Sequence, residues 1–137
     1  MQVFLPFADI EKSVCCLDPK RLGNQIYREA YTLIRGGWPN HPVSKIFKNY
    51  KYALAKYCIY GLEELRRRGR NYPKWFNYYN NCLNIFPNTG LPSIIGNEFF
   101  HLSHRSNLIR KDPDYYIPIF GDGIPDNLPY FWPVKNT

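Results

Sequence analysis

The chain has 137 residues, 45% of them hydrophobic and 21% charged, with a formal net charge of +7 and a pI near 9.3. That length suits one domain spanning residues 1–137 with its own core, and the composition excludes a disordered tail. No stretch approaches the roughly 20 apolar residues of a membrane span; the opening Met-Gln-Val-Phe-Leu-Pro is not a signal peptide, so a cytoplasmic or nuclear protein is expected.

The first residues read as extended, and a short helix is predicted over residues 9–17. Asp18-Pro19 then opens a second helix, an acid at the N-cap and proline at the first helical position. Leu22, Ile26, Ala30, Leu33 and Ile34 keep helical spacing until Gly36-Gly37 stops it. The loop Trp38-Pro39-Asn40-His41-Pro42 leads into the clearest helix, residues 43–65. Its apolar positions Val43, Ile46, Phe47, Tyr50, Leu54, Tyr57, Gly61, Leu62 and Leu65 recur at three and four. Arg66-Arg67-Arg68 and Gly69 close it, cations favouring the C-terminal dipole and glycine the cap. A further short helix is predicted over 74–81, a loop over 86–96, and a last helix over 97–111 ended by Asp112-Pro113. From Tyr115 onward, Pro118, Gly121, Gly123, Pro125, Pro129 and Pro133 predict an irregular, aromatic-rich wrap. With no alternating run long enough for a sheet, the expected fold is all-α, compact and single-domain.

The four cysteines lack CxxC spacing, and Cys15 and Cys16 are adjacent. Reduced, mostly buried thiols are therefore expected, with no metal site, no cofactor and no obligatory protein partner. Twelve Tyr, nine Phe and three Trp exceed what a small core satisfies at its hydroxyls, so some rings line a surface or cleft. Together with positive charge they point to nucleic acid, since bases stack on rings while phosphates pair with Lys and Arg. A basic soluble protein with no polyanionic partner remains compatible with the same composition.

Four constellations could carry that chemistry. Arg21, Gln25 and Glu29, at i, i+4 and i+8 and flanked by Lys20 and Arg28, line one helix side. They suit base-edge and phosphate contacts, though a solvated charged face explains them equally well. His41, in the loop before the long helix, can contact phosphate or shuttle a proton; capping or packing is the alternative. On the last helix, His101, His104, Arg105 and Lys111 share neighbouring faces, fitting phosphate or nucleic-acid contact. A metal there would need a third ligand, and none is evident. Finally, Lys45, Lys48, Lys51 and Lys56, with Arg66, Arg67, Arg68 and Arg70, precede Tyr72, Lys74, Trp75, Tyr78 and Tyr79, a possible phosphate-plus-ring surface.

The chain resembles the pyrimidine-dimer DNA glycosylases of the phage endonuclease V type. Leu17-Asp18-Pro19-Lys20-Arg21-Leu22-Gly23-Asn24-Gln25, Ser103-His104-Arg105-Ser106-Asn107-Leu108 and Tyr130-Phe131-Trp132-Pro133 look closest to the uncharacterised bacterial and viral branch. The resemblance implies a helical protein that binds double-stranded DNA, flips a base and cuts its glycosidic bond at a lesion, with or without AP-lyase activity. It implies an N-terminal α-amine as nucleophile, a group with a pKa of about 7.7–8.0 against about 10.4 for lysine, and a helical carboxylate that assists. Gln2 is too large for ready removal of the preceding methionine, which makes Met1 the amine here. The family carboxylate aligns nearest Arg21, leaving Glu29, two turns on, as its replacement if the helix is rotated or shifted. Lys20, Arg21, Gln25, Arg28, His41, His101, His104, Arg105 and Lys111 are then the expected DNA contacts. A non-catalytic DNA-binding protein, or an enzyme on another phosphorylated substrate, are the other readings.

Overall fold

A computed structural model describes residues 1–132, and among them every regular element is helical. Residues 2–6 are extended yet buried, so the chain begins by threading into its own interior rather than along the surface. Helix α1 (Ile10–Cys15) starts where the Asp9 carboxylate accepts from the Lys12 amide, a standard N-cap. Helix α2 (Pro19–Asn24) starts as the Asp18-Pro19 pair predicts, Asp18 accepting from the Arg21 amide.

The polar stripe of this helix survives because of a local departure from α geometry. Residues Gln25–Glu29 form a π turn, in which the Ala30 amide donates to the Gln25 carbonyl, before α3 (Ala30–Ile34) resumes. Four residues of α-helix overshoot a full turn by about 40°. The wider π turn takes up that excess and keeps Arg21, Gln25 and Glu29 along one cavity wall. From helix α6 (Pro73–Ile85) the Tyr79 hydroxyl donates to the Ile26 carbonyl, supplying a buried partner where the regular ladder is interrupted.

Two expectations are corrected. The helix predicted over 43–65 is two, α4 (Pro42–Phe47) and α5 (Lys51–Arg67). Tyr50 leaves helical conformation at φ −131°, ψ 40°, although the apolar spacing runs through it unbroken. Periodicity reports which side faces the core, not whether the axis bends. Helix α7 (Glu98–Lys111) is as expected, but the segment after it is not irregular: α8 (Pro113–Phe120) follows. Asp112 caps the Tyr115 amide and Pro113 occupies the first position, the same signal as Asp18-Pro19, so the pair that ends one helix starts another. Irregular chain begins only at Gly121; Pro133 lies outside the described residues.

Helix α5 supplies much of the core. Gly61 permits close approach, since a methyl there would meet Val14, Ile26 and Leu22 side chains at 3.0–3.3 Å. The buried tyrosines act as straps: Tyr57 donates to the Phe4 carbonyl, and Tyr116 of α8 donates to Asp18, the residue that caps α2. Cys58 and Cys82 are buried free thiols, and no helix among the described residues is long and apolar enough to cross a membrane.

Candidate active-site cleft

The site begins with how the N-terminus is held. An extended segment in a helical interior has no ladder to satisfy its amides, so side chains must do it. Gln25 does this twice, donating to the Gln2 carbonyl (3.0 Å) and accepting from the Phe4 amide (2.9 Å). Helix α7 grips the next residues: His104 Nδ1 accepts from the Leu5 amide (2.8 Å), His101 Nδ1 donates to the Leu5 carbonyl (2.7 Å), and Arg105 donates to the Pro6 carbonyl (2.7 Å). These roles fix the tautomers. His101 carries its proton on Nδ1, with Nε2 accepting from the Gly96 amide. His104 is neutral with its proton on Nε2, facing the rings of Phe4, Phe100 and Tyr130. Burial pushes both imidazoles below their ordinary pKa, His104 to about 3, so the clamp is uncharged near neutral pH.

So held, the chain delivers Met1 to the wall between two cavities. One, of about 320 Å³, is lined among others by Lys20, Arg21, Asn24, Lys111 and Tyr130; the second, of about 270 Å³, by Thr32, Trp38 and His41. Met1, Arg28 and Glu29 belong to both. Glu29 is largely buried, and its carboxylate accepts from the Arg28 guanidinium at 3.2 Å. His41 caps α4, its Nδ1 accepting from the Val43 amide, which leaves the proton on Nε2. Burial lowers the His41 pKa, as does the positive charge of the chain's amine, while Glu29 opposes them. The imidazole therefore senses both the chain's amine and the Glu29 carboxylate. Lys20, Arg28 and Lys111, all exposed, supply cationic groups around them. The cleft thus gathers the N-terminal residue, a carboxylate and an imidazole along its walls, with a basic rim suited to phosphates.

The structure brings together Met1, Lys20, Arg21, Gln25, Arg28, Glu29, His41 and Lys111, though Gln25 spends its amide on the N-terminal segment. It does not bring His101, His104 or Arg105 to that surface. The polar face of α7, expected to meet DNA, is turned inward because the extended N-terminus needs partners there. Arg105 is committed to Pro6 and Glu98, and both histidines are buried. The same face holds the tail: Ser106 Oγ accepts from the Leu128 amide, Asn107 donates to the Leu128 carbonyl, and Ser103 Oγ accepts from the Phe131 amide.

The rings of the expected α6 surface are half-buried, apart from Tyr79, which is fully buried. Trp75, Tyr78 and Tyr79 pack with Tyr27, Tyr31 and Tyr72, ring centroids 5.0–6.0 Å apart, joining α6 to the π turn and α3. Arg67 and Arg68 are held by Glu64 and Cys15 at the end of α5. Six cavity residues escaped the sequence reading: Gln2, Phe4, Asn24, Thr32, Trp38 and Tyr130. Asn24 lies one residue off the stripe, and Trp38 was visible only as a large ring within a loop of turn-forming residues. The tail covers the core and also enters the site, Tyr130 lining the larger cavity and the Trp132 ring lying 5.8 Å from that of His41.

No curated protein and no solved structure matches the chain. The family model described as pyrimidine dimer DNA glycosylase matches residues 1–81. That stretch carries Met1, Glu29, His41 and the whole segment from α1 into α6, whereas the α7 clamp and the tail lie beyond it. Covering more than half of the 137 residues, the match shows that the chain belongs to the pyrimidine dimer DNA glycosylase family.

Proposed function

We propose that this protein excises a damaged base from double-stranded DNA through an imine formed by the α-amine of Met1, with Glu29 as the assisting carboxylate. The observation that carries the reading is the meeting of Met1 and Glu29 on the shared wall of two cavities beneath a basic rim. The π turn keeps Glu29 on the cleft wall with Arg21 and Gln25.

In the first step the neutral amine attacks C1′ of the lesion sugar. The glycosidic C1′–N bond breaks, and its electron pair leaves with the base, which takes up a proton. Glu29 faces the positive charge that develops on the sugar and takes a proton from the attached nitrogen; as that nitrogen's lone pair forms the C1′=N bond, the C1′–O4′ bond breaks and Glu29 returns the proton to O4′. Loss of the C2′ proton to the same carboxylate would then expel the 3′ phosphate, the lyase step. Such a sugar is reachable only once the nucleotide leaves the stack, and Lys20, Arg21, Arg28 and Lys111 are placed to hold its flanking phosphates. His41, neutral with Nε2–H free of the helix cap, donates to the sugar or a phosphate oxygen.

Borohydride reduction during reaction with duplexes carrying an abasic site or a thymine dimer tests this. A covalent adduct mapping to Met1 is expected. If base release proceeds without an adduct, activated water replaces the amine; salt-sensitive binding with neither leaves a DNA-binding protein on this scaffold.

A further inference from the structure

Arg21 enters the cleft differently from the other cations there. Lys20, Arg28 and Lys111 are exposed, whereas Arg21 is half-buried and its Nη1 donates to Asp18 Oδ1 at 3.1 Å. No other partner engages the guanidinium among the described residues. Its remaining N–H groups are therefore left for an anion in the cavity that Met1 and Glu29 also line.

Asp18 does more than cap α2. Its Oδ2 takes the Arg21 amide, which is all that an N-cap requires. Its Oδ1 takes the Arg21 guanidinium and also the Tyr116 hydroxyl. The same hydroxyl accepts from the Asp18 amide at 2.9 Å, so Tyr116 grips both backbone and carboxylate of a residue 98 positions away. Tyr116 is itself fixed. It is fully buried, stacked on Phe120 with centroids 5.6 Å apart and planes at 11°, and set edge-on to Tyr115 at 5.0 Å. Burial pushes its hydroxyl above the ordinary phenol pKa, which keeps the proton available for donation to Asp18. Burial opposes charge on Asp18 as well, but the Tyr116 and Arg21 hydrogen bonds outweigh it and hold the carboxyl below its usual pKa. A helix cap could be an uncharged asparagine or serine. A buried tyrosine locking a carboxylate adds something a cap does not need, a stationary partner for a cation.

We infer that Tyr116 is a positioning residue for the excision site, aiming Arg21 through Asp18 at the phosphate diester beside the reacting sugar. This rests on the excision reading above and adds the residue of α8 that keeps the phosphate-binding group in place. Arginine suits the task because its planar fork can stay on Asp18 with one nitrogen and meet phosphate with the others. The exposed lysines capture the duplex, so the contribution of Tyr116 falls on the reaction of bound DNA rather than on its capture.

The test uses the full chain and a double-mutant cycle on an abasic duplex. Tyr116→Phe keeps the ring and removes the hydroxyl; it slows single-turnover adduct trapping at saturating duplex about tenfold, with Kd changed less than about twofold. In an Arg21→Ala background the same substitution has no further effect on the rate but lowers Tm by the same amount as before. An unchanged rate in Tyr116→Phe overturns the inference and leaves the tyrosine to folding. An equal loss of rate in both backgrounds overturns it too, because Tyr116 then acts by a route other than Arg21. Should Tyr116→Phe fail to fold, Asp18→Asn, which keeps a capping oxygen and gives up the charge, replaces it in the cycle with the same outcomes. Nitrogen-15 spectra with a duplex carrying a tetrahydrofuran abasic analogue follow the guanidinium directly. The Arg21 Nε–H signal shifts on binding in the wild type and is broadened, without that shift, in Tyr116→Phe. A wild type that forms no adduct and releases no base defeats the excision reading alone; the Arg21 signal then decides the positioning, and its failure to shift in the wild type overturns it.

Discussion

Two helical stripes of this protein look alike as sequence and do opposite things. Arg21, Gln25 and Glu29, with Lys20 and Arg28, and His101, His104, Arg105 and Lys111 each combine cations with hydrogen-bonding groups at helical spacing. The first stripe borders the cleft along its whole length. The second turns its histidines and Arg105 inward, and only Lys111, at the end of α7, reaches the cleft. What separates them is the N-terminal segment. Its extended backbone requires donors and acceptors, and α7 is among the elements against which it lies. A polar helix face thus announces partners without saying whether they are ligands or the protein's own backbone.

The largest effect expected is on the first stripe. Glu29→Gln should lower base release by about 10²–10⁴-fold with duplex Kd unchanged or tighter, as general acid–base contributions of that size imply. Single-turnover release and binding titrations check it. Equal loss of stability, read by urea unfolding, would instead give Glu29 a folding role.

On the second stripe, His104→Ala should cost about 2–4 kcal/mol of stability, because it leaves a cavity and an unsatisfied Leu5 amide. His104→Gln, which keeps an acceptor, should cost less. Urea midpoints give both. A small loss in the alanine variant combined with weaker DNA binding would restore the DNA-facing reading of α7.

Acid sharpens the same contrast. The His104 pKa falls on folding, to about 3, so the unfolded chain takes up its proton first. The clamp's contribution is therefore complete above about pH 6.5, the ordinary histidine value, and is lost progressively as pH falls towards 3. Stability measured between pH 7 and 5 should decline in the wild type, and less steeply in His104→Gln.

The smallest effects concern phosphates. Removing Lys20, Arg28 or Lys111 by alanine should each reduce the slope of log affinity against log salt by about one. Arg105→Ala should leave that slope unchanged, since its guanidinium is committed to Pro6 and Glu98. A slope change at Arg105 alone would reverse the assignment of the two stripes.

The helical class, the start of α2 at Asp18-Pro19, the spacing of the core positions and the basic, aromatic character that suits a polyanion were legible in the amino-acid sequence. Each follows from local rules of capping, periodicity and charge, which act over a few residues. Through family resemblance the sequence also pointed to Met1 and Glu29 as the reactive pair proposed above. Tertiary contacts were needed to show that α4 and α5 bend apart at Tyr50, where the apolar spacing runs on unbroken, and that His101 and His104 are clamps. For the clamps the deciding partner lies elsewhere in the fold, as Leu5 does for His104, 99 residues away. Periodicity along one segment carries no information about what that distant backbone requires.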